Sequence, residues 1–219
     1  MDLEREIVVL VHSTGTGPSL WRRGIDGAVG RRRVLLPSNL GYPPNPPVPR
    51  GERVRAADDA THLLGEIPAD AERVHLVGHS YGGVVALHLG ELLGPRLAST
   101  FLVEPVVFGS LISAPEVGPA AAAEILAFAR HPWFLVDESR GGGPEWLELF
   151  VDYWNGPGTW AETSPEAREQ MLAVGWKMFE EVRDCFADRR PFESWKLDAP
   201  ATVVMGERSP APARAMARG

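Results

Sequence analysis

The residues able to do chemistry cluster in one stretch, Arg73 to Gly94, which reads RVHLVGHSYGGVVALHLGELLG. A short apolar run (Val74, Leu76, Val77) meets Gly78-His79-Ser80-Tyr81-Gly82-Gly83, and an apolar-rich segment follows until Gly94-Pro95. That order predicts a strand, a sharp turn and a helix, with Ser80 on the turn. A G-x-S-x-G sequence holds its serine on a strained strand-to-helix corner, where side chains at Gly78 and Gly82 would collide with crowded backbone. The corner lifts the hydroxyl out of the sheet. The helix starting beside it turns N-terminal N–H groups and a positive dipole end toward any negative charge that develops there. Ser80 is therefore the candidate nucleophile, with His79 completing the corner.

The surrounding elements must hold that corner. Ile7-Val8-Val9-Leu10-Val11 is continuously apolar and rich in β-branched residues, which predicts a strand buried on both faces of a parallel sheet. It runs into the small-residue loop His12-Ser13-Thr14-Gly15-Thr16-Gly17. Arg31-Arg32-Arg33 followed by Val34-Leu35-Leu36 predicts a second strand. The run from Tyr42 to Gly51 holds five prolines and is expected as an extended surface loop. Arg53 to Ile67 carries Val54, Ala57, Ala60, Leu64 and Ile67 at helical spacing. Further strands are expected at Val74 to Val77, Thr100 to Val103 and Thr202 to Met205. Strands alternating with helices imply crossover connections and a doubly wound, mostly parallel α/β sheet.

Between Val106 and Lys196 the pattern is helical, with helices expected at Pro119 to Arg130, Pro144 to Trp154 and, as one long helix, Pro165 to Phe186. Six of the seven tryptophans fall after residue 130, and aromatics gathered over a serine suggest an apolar substrate cavity.

The Gly78 to Gly82 corner, with a strand before it and a helix after it, resembles that of the α/β-hydrolase family. The resemblance implies a hydrolase core from residues 1–108 and 196–219 and a helical cap from 109–195. It implies an oxyanion hole built from the backbone N–H groups of Thr14 and Tyr81, with Ser13 standing where the family usually has glycine. Two carboxylates compete for the acid of a triad. Glu104, at the end of Phe101-Leu102-Val103, matches the position some members use. Glu207 lies in Gly206-Glu207-Arg208-Ser209, the turn that more often carries the acid; Glu104 is preferred.

The histidines are His12, His62, His75, His79, His88 and His131, and none follows Thr202 to Met205, where the resemblance places the general base. The resemblance therefore implies that the family's last strand, histidine-bearing loop and final helix are missing from these 219 residues, a C-terminal truncation. An exposed sheet edge would result, open to homodimer formation. The function expected is hydrolysis of a small apolar ester through an acyl-enzyme at Ser80. The alternative is a non-catalytic relative that binds a small apolar ligand.

A net charge of -7 argues against nucleic acid and anionic membrane as partners and favours a small molecule. Cys185 is the only cysteine, so no intrachain disulfide or thiolate metal cluster is expected. No H-E-x-x-H, G-x-G-x-x-G or P-loop is present, so neither metal nor cofactor is expected. Met1 to Glu6 lacks the basic start of a secretory leader, and no apolar run reaches membrane-spanning length, which points to the cytoplasm.

Overall fold

The computed structural model describes residues 3–22, 25 and 28–219. Met1 and Asp2, at the start of the segment tested above for a leader, lie outside them. Among the described residues no helix is long and apolar enough to cross a membrane.

Five parallel strands form one sheet in the order β2-β1-β3-β4-β5. They are β1 (Glu6–Val11), β2 (Arg33–Leu35), β3 (Arg73–His79), β4 (Leu97–Val103) and β5 (Ala201–Val204). All six residues of β1 are buried, as its unbroken apolar run requires for an inner strand covered on both faces. Register then sets the working edge of the sheet. Val11 pairs with Gly78, His79 with Val103, and Val103 with Val204. The chain therefore leaves β1, β3, β4 and β5 at nearly the same level, bringing together the loop after His12, the turn at Ser80, Glu104 and the turn after Met205.

Helices α1 (Ala56–Glu66) and α2 (Tyr81–Leu93) pack against each other, and α2 packs on β1, β3 and β4. α1 starts three residues later than the apolar spacing predicts. Asp58 fixes that start, because its carboxylate accepts the Arg55 N–H at 2.9 Å in a capping box. α2 buries ten of its thirteen residues, including Val84, Val85 and Leu89, which ties the turn before it to the centre of the core.

The remaining helices are α3 (Phe108–Ser113), α4 (Pro119–Ala129), α5 (Pro144–Asn155), α6 (Thr159–Glu162), α7 (Pro165–Ala173), α8 (Gly175–Ala187) and α9 (Ala211–Met216). The single long helix expected from Pro165 to Phe186 is two helices. The chain breaks at Val174, where φ is -108° and ψ 8°. A Cβ on Gly175 would lie 2.1 Å from the Gly142 carbonyl oxygen, so the backbones are in direct contact there. The break lets α8 turn into the core, while α7 buries none of its residues.

A second correction concerns Tyr42. It begins the proline-rich run expected at the surface, yet it is buried, with its ring edge-on to His12 at 4.7 Å between centroids.

Candidate functional site

Ser80 adopts φ 55° and ψ -120°, a backbone conformation that non-glycine residues rarely occupy and that costs of order 1–3 kcal/mol. The surroundings enforce it. Ser80 N–H donates to the Val103 carbonyl at 2.9 Å, and the Ser80 carbonyl accepts from Gly83 N–H at 2.9 Å. A Cβ on Gly78 would meet the Gly82 carbonyl oxygen at 2.3 Å, and one on Gly82 the Val11 carbonyl oxygen at 2.3 Å. The two glycines let β3, α2 and the end of β1 close around the serine. Glu104 (φ 50°), at the end of β4, is the other non-glycine residue with positive φ among the described residues.

Ser80 and Glu104 line a cavity of about 840 Å³ at the C-terminal edge of the sheet. Ser13, Thr14 and His79 share its polar floor, and Phe108, Phe150, Trp154, Met171, Met178 and Val182 supply apolar walls. Among the described residues, the Thr14 N–H donates to no protein acceptor, whereas the Gly15 N–H next to it donates to the Tyr42 hydroxyl at 2.9 Å. Tyr81 is the first residue of α2, so its N–H has no acceptor within the helix. The structure thus brings Ser80, Thr14, Tyr81, His79, Gly78, Gly82 and Glu104 to one place.

The Glu104 carboxylate accepts the Gly206 N–H at 2.6 Å and the Ser209 hydroxyl, and the Glu104 N–H donates to the Val204 carbonyl at 2.9 Å. It thereby ties the turn after β5 to the end of β4. Glu207 also borders the cavity but is exposed.

Of the six histidines only His79 lines the cavity. Burial holds its imidazole below the ordinary value, partly opposed by the charge of Glu104. His12, although next to the loop, has both ring nitrogens engaged. Nε2 accepts the Asn39 N–H at 3.1 Å, so the proton belongs on Nδ1, which lies 3.0 Å from the Ser13 carbonyl oxygen. His75 sits between Ser99 and Glu6, and His88 packs on Arg190 and Trp195. His62 contacts Asn45 and Glu66, and His131 accepts the Trp133 N–H.

Burial also depresses His12, which must stay neutral to keep its bond to Asn39. Its folded value lies below the ordinary 6.5, so the unfolded chain binds the proton first. The stability it contributes is complete above 6.5 and is lost as pH falls below that value. His79 and His88 are shifted the same way. Thermal unfolding is expected to hold a steady midpoint above about pH 7 and a falling one below it. His12→Gln should lower the midpoint at pH 8 and flatten the acid slope; a slope unchanged by the substitution would remove His12 from the account.

Sequence reasoning missed a buried ionic cluster behind the loop, made by Asp59 of α1 with Lys177 and Glu181 of α8. Charged residues four apart on a helix read as a solvated face. No local signal finds them: Lys177, Glu180, Glu181 and Asp184 fall together on one face of α8, opposite Met178, Phe179 and Val182, just as a solvated polar face would. Among the described residues no group of three or more histidine, cysteine or acidic side chains is arranged to hold a metal ion.

A parallel sheet flanked by helices, with a strained serine corner at its C-terminal edge, defines a hydrolase-type α/β architecture. The chain belongs to the alpha/beta hydrolase family, whose sequence profile matches residues 8–219. An α/β hydrolase from Sphaerobacter thermophilus is similar at TM-score 0.64 and 17% identity, over 96% of this chain and 78% of that one. A thermophilic esterase from Thermogutta terrifontis is similar at TM-score 0.55 and 18% identity, over 97% and 76%. At such identities the likeness is one of fold. In sequence, the dihydrolipoyllysine-residue acetyltransferase component of the acetoin cleaving system of Pseudomonas putida is 29% identical over 107 residues. That match takes in 48% of this chain and 28% of the relative's length.

Proposed function

We propose that the chain is a serine hydrolase of small apolar acyl esters. The observation that carries the reading is Ser80, held at positive φ at the start of α2 and opening onto a cavity with apolar walls. The Ser80 oxygen attacks the ester carbonyl and its proton passes to a base. Thr14 and Tyr81 N–H groups hold the resulting oxyanion, which collapses to acyl-Ser80 as the alkoxide leaves with a proton. Water then cleaves the acyl-enzyme. A serine favours acyl chemistry over epoxide or alkyl halide opening for a simple reason. Attack on a saturated carbon would leave an ether on the serine, with no carbonyl for water to attack.

In this reading α3 to α8 form the cap and Glu104 is the acid that orients the base. β5 is the outer strand of the sheet with Val203 42% exposed, so a second copy pairing there is the oligomer to look for. The single buried Cys185 suits a reducing, cytoplasmic setting.

A fluorophosphonate probe followed by peptide mass spectrometry tests the nucleophile, and p-nitrophenyl esters of increasing acyl length test the substrate class. Adduct on Ser80 and a preference for apolar acyl groups are expected. The observation that only His79 lines the cavity also supports a second reading, a non-catalytic binder of apolar ligands. It predicts ligand-induced change in tryptophan fluorescence with no adduct.

The acid is tested by substitution. In a chain that includes the orienting histidine, Glu104→Gln should lower kcat on the order of 10⁴-fold, as loss of a triad acid does. Its amide oxygen can still accept the Gly206 N–H, so the fold should persist. Glu207→Gln should change little. The reverse pattern would assign the acid to Glu207.

A further inference from the structure

The buried cluster missed in the sequence connects the two backbone segments assigned above to the oxyanion hole, and the argument that follows rests on that assignment. Starting at the loop after β1, the Gly15 N–H donates to the Tyr42 hydroxyl at 2.9 Å. The Tyr42 hydroxyl donates to Glu181 Oε2 at 3.0 Å. Lys177 Nζ lies 3.2 Å from Glu181 Oε1 and donates to Asp59 Oδ2 at 2.6 Å. Asp59 Oδ2 accepts the Tyr81 hydroxyl at 2.6 Å, and Oδ1 accepts the Leu40 N–H at 2.8 Å. The path therefore runs from the neighbour of one N–H donor, Thr14, to the residue that supplies the other, Tyr81.

Every side chain on it is buried. Asp59 and Glu181 are 0% exposed, and Lys177 has 1% exposure. Burial alone would depress Lys177, but the two carboxylates more than offset that and hold it above its ordinary value. Burial pushes the Glu181 carboxyl up, opposed by Lys177. Such a cluster is poor evidence of added stability, since apolar residues of similar volume often do as well. What it supplies is fixed geometry at both ends.

The helix that carries Lys177 and Glu181 also faces the cavity. Met178, Val182 and Cys185 of α8 line it, and the Met178 thioether packs close enough to Gly15 that a Cβ there would lie 2.7 Å from its methyl carbon. We propose that Asp59, Lys177 and Glu181 are positioning residues for the oxyanion hole, through which α8, the helix a substrate would touch, sets the spacing of the Thr14 and Tyr81 N–H groups.

The test uses hydroxyl deletions, which break the path without stranding a charge, and a buried control off the path. Tyr42→Phe and Tyr81→Phe should each slow phosphonylation of Ser80 about 10-fold, within the 10²-fold that misplacing a reacting group by an ångström can cost. Affinity for a non-reactive apolar ligand should stay unchanged. Leu63→Ala, on α1 with Asp59, should lower the melting temperature without slowing the reaction. Hydrogen exchange followed by mass spectrometry gives a readout free of catalysis. Tyr81→Phe should speed exchange in the peptide spanning residues 13–16, to which the path links its hydroxyl.

If unmodified protein takes no label at Ser80, the nucleophile reading fails and exchange alone decides the present one. Unchanged exchange in residues 13–16 with Tyr81→Phe, or equal slowing by Leu63→Ala, would overturn it.

Discussion

Ser80→Ala should abolish fluorophosphonate labelling while leaving the melting temperature within a few degrees of the parent. The substitution removes one oxygen from a residue whose structural work is done by its backbone, through bonds to Val103 and Gly83. Alanine at φ 55° is no more strained than serine, so the corner should survive. Ester hydrolysis by these 219 residues is expected to be slow even with Ser80 intact. Without a positioned base, an oxyanion hole and binding alone leave roughly 10³ to 10⁴ over water. Ser80→Ala removes acyl-enzyme formation from that residue. The measurement is the labelled peptide, with the p-nitrophenyl ester rate beside it. A label that persists in the variant on another residue would end the Ser80 assignment.

Trp146→Ala is expected to have the largest effect on stability. Trp146 is fully buried, stacks on Phe134 and Phe150 with centroids at 5.5 and 5.3 Å, and donates its indole N–H to the Phe134 carbonyl at 2.9 Å. Truncating a buried tryptophan costs about 3–5 kcal/mol, and here it also strands a buried carbonyl. For a chain of this size that is a fall of about 10 °C in Tm. Near-ultraviolet circular dichroism during heating checks it. Because Phe150 also lines the cavity, apolar ligands should bind more weakly to the variant at temperatures where it remains folded. A shift of only a degree or two would mean that the region repacks freely.

The parts legible in the sequence are those whose physics is local. Ile7 to Val11 could only be an inner strand, and the glycines around Ser80 announce a turn too crowded for side chains. The strand end at Val103 followed from a short apolar run, and with it the placement of Glu104 at the working edge, whereas the last strand lies one residue earlier than its apolar run suggests, at Ala201–Val204. What escaped depends on partners distant in the chain. Between Pro165 and Phe186 only Gly175 hints at the break at Val174, and its reason, contact with Gly142, lies thirty-odd residues earlier. Lys177 and Glu181 have the polarity of surface residues, and only Asp59, Tyr42 and Tyr81, brought from other elements, make their burial tolerable. Tyr42 was hidden by its neighbours, since five prolines following a residue say loop and do not say whether its first side chain points inward.

Gly142 and Gly175 touch through backbone alone, so neither position has a side chain that could be exchanged for one on the other. In a library of random substitutions the pair should behave as one intolerant locus. Paired compensation, in which a larger residue is matched by a smaller one opposite, has nothing to work on there. The seat of α8 is thereby withdrawn from gradual change. Variation in what α8 contributes to the cavity must then come from side-chain volume along the helix, at Met178, Val182 and Cys185. Relatives that kept this seat would differ in the volume of side chains the helix turns to the cavity long before they differed in how the helix lies.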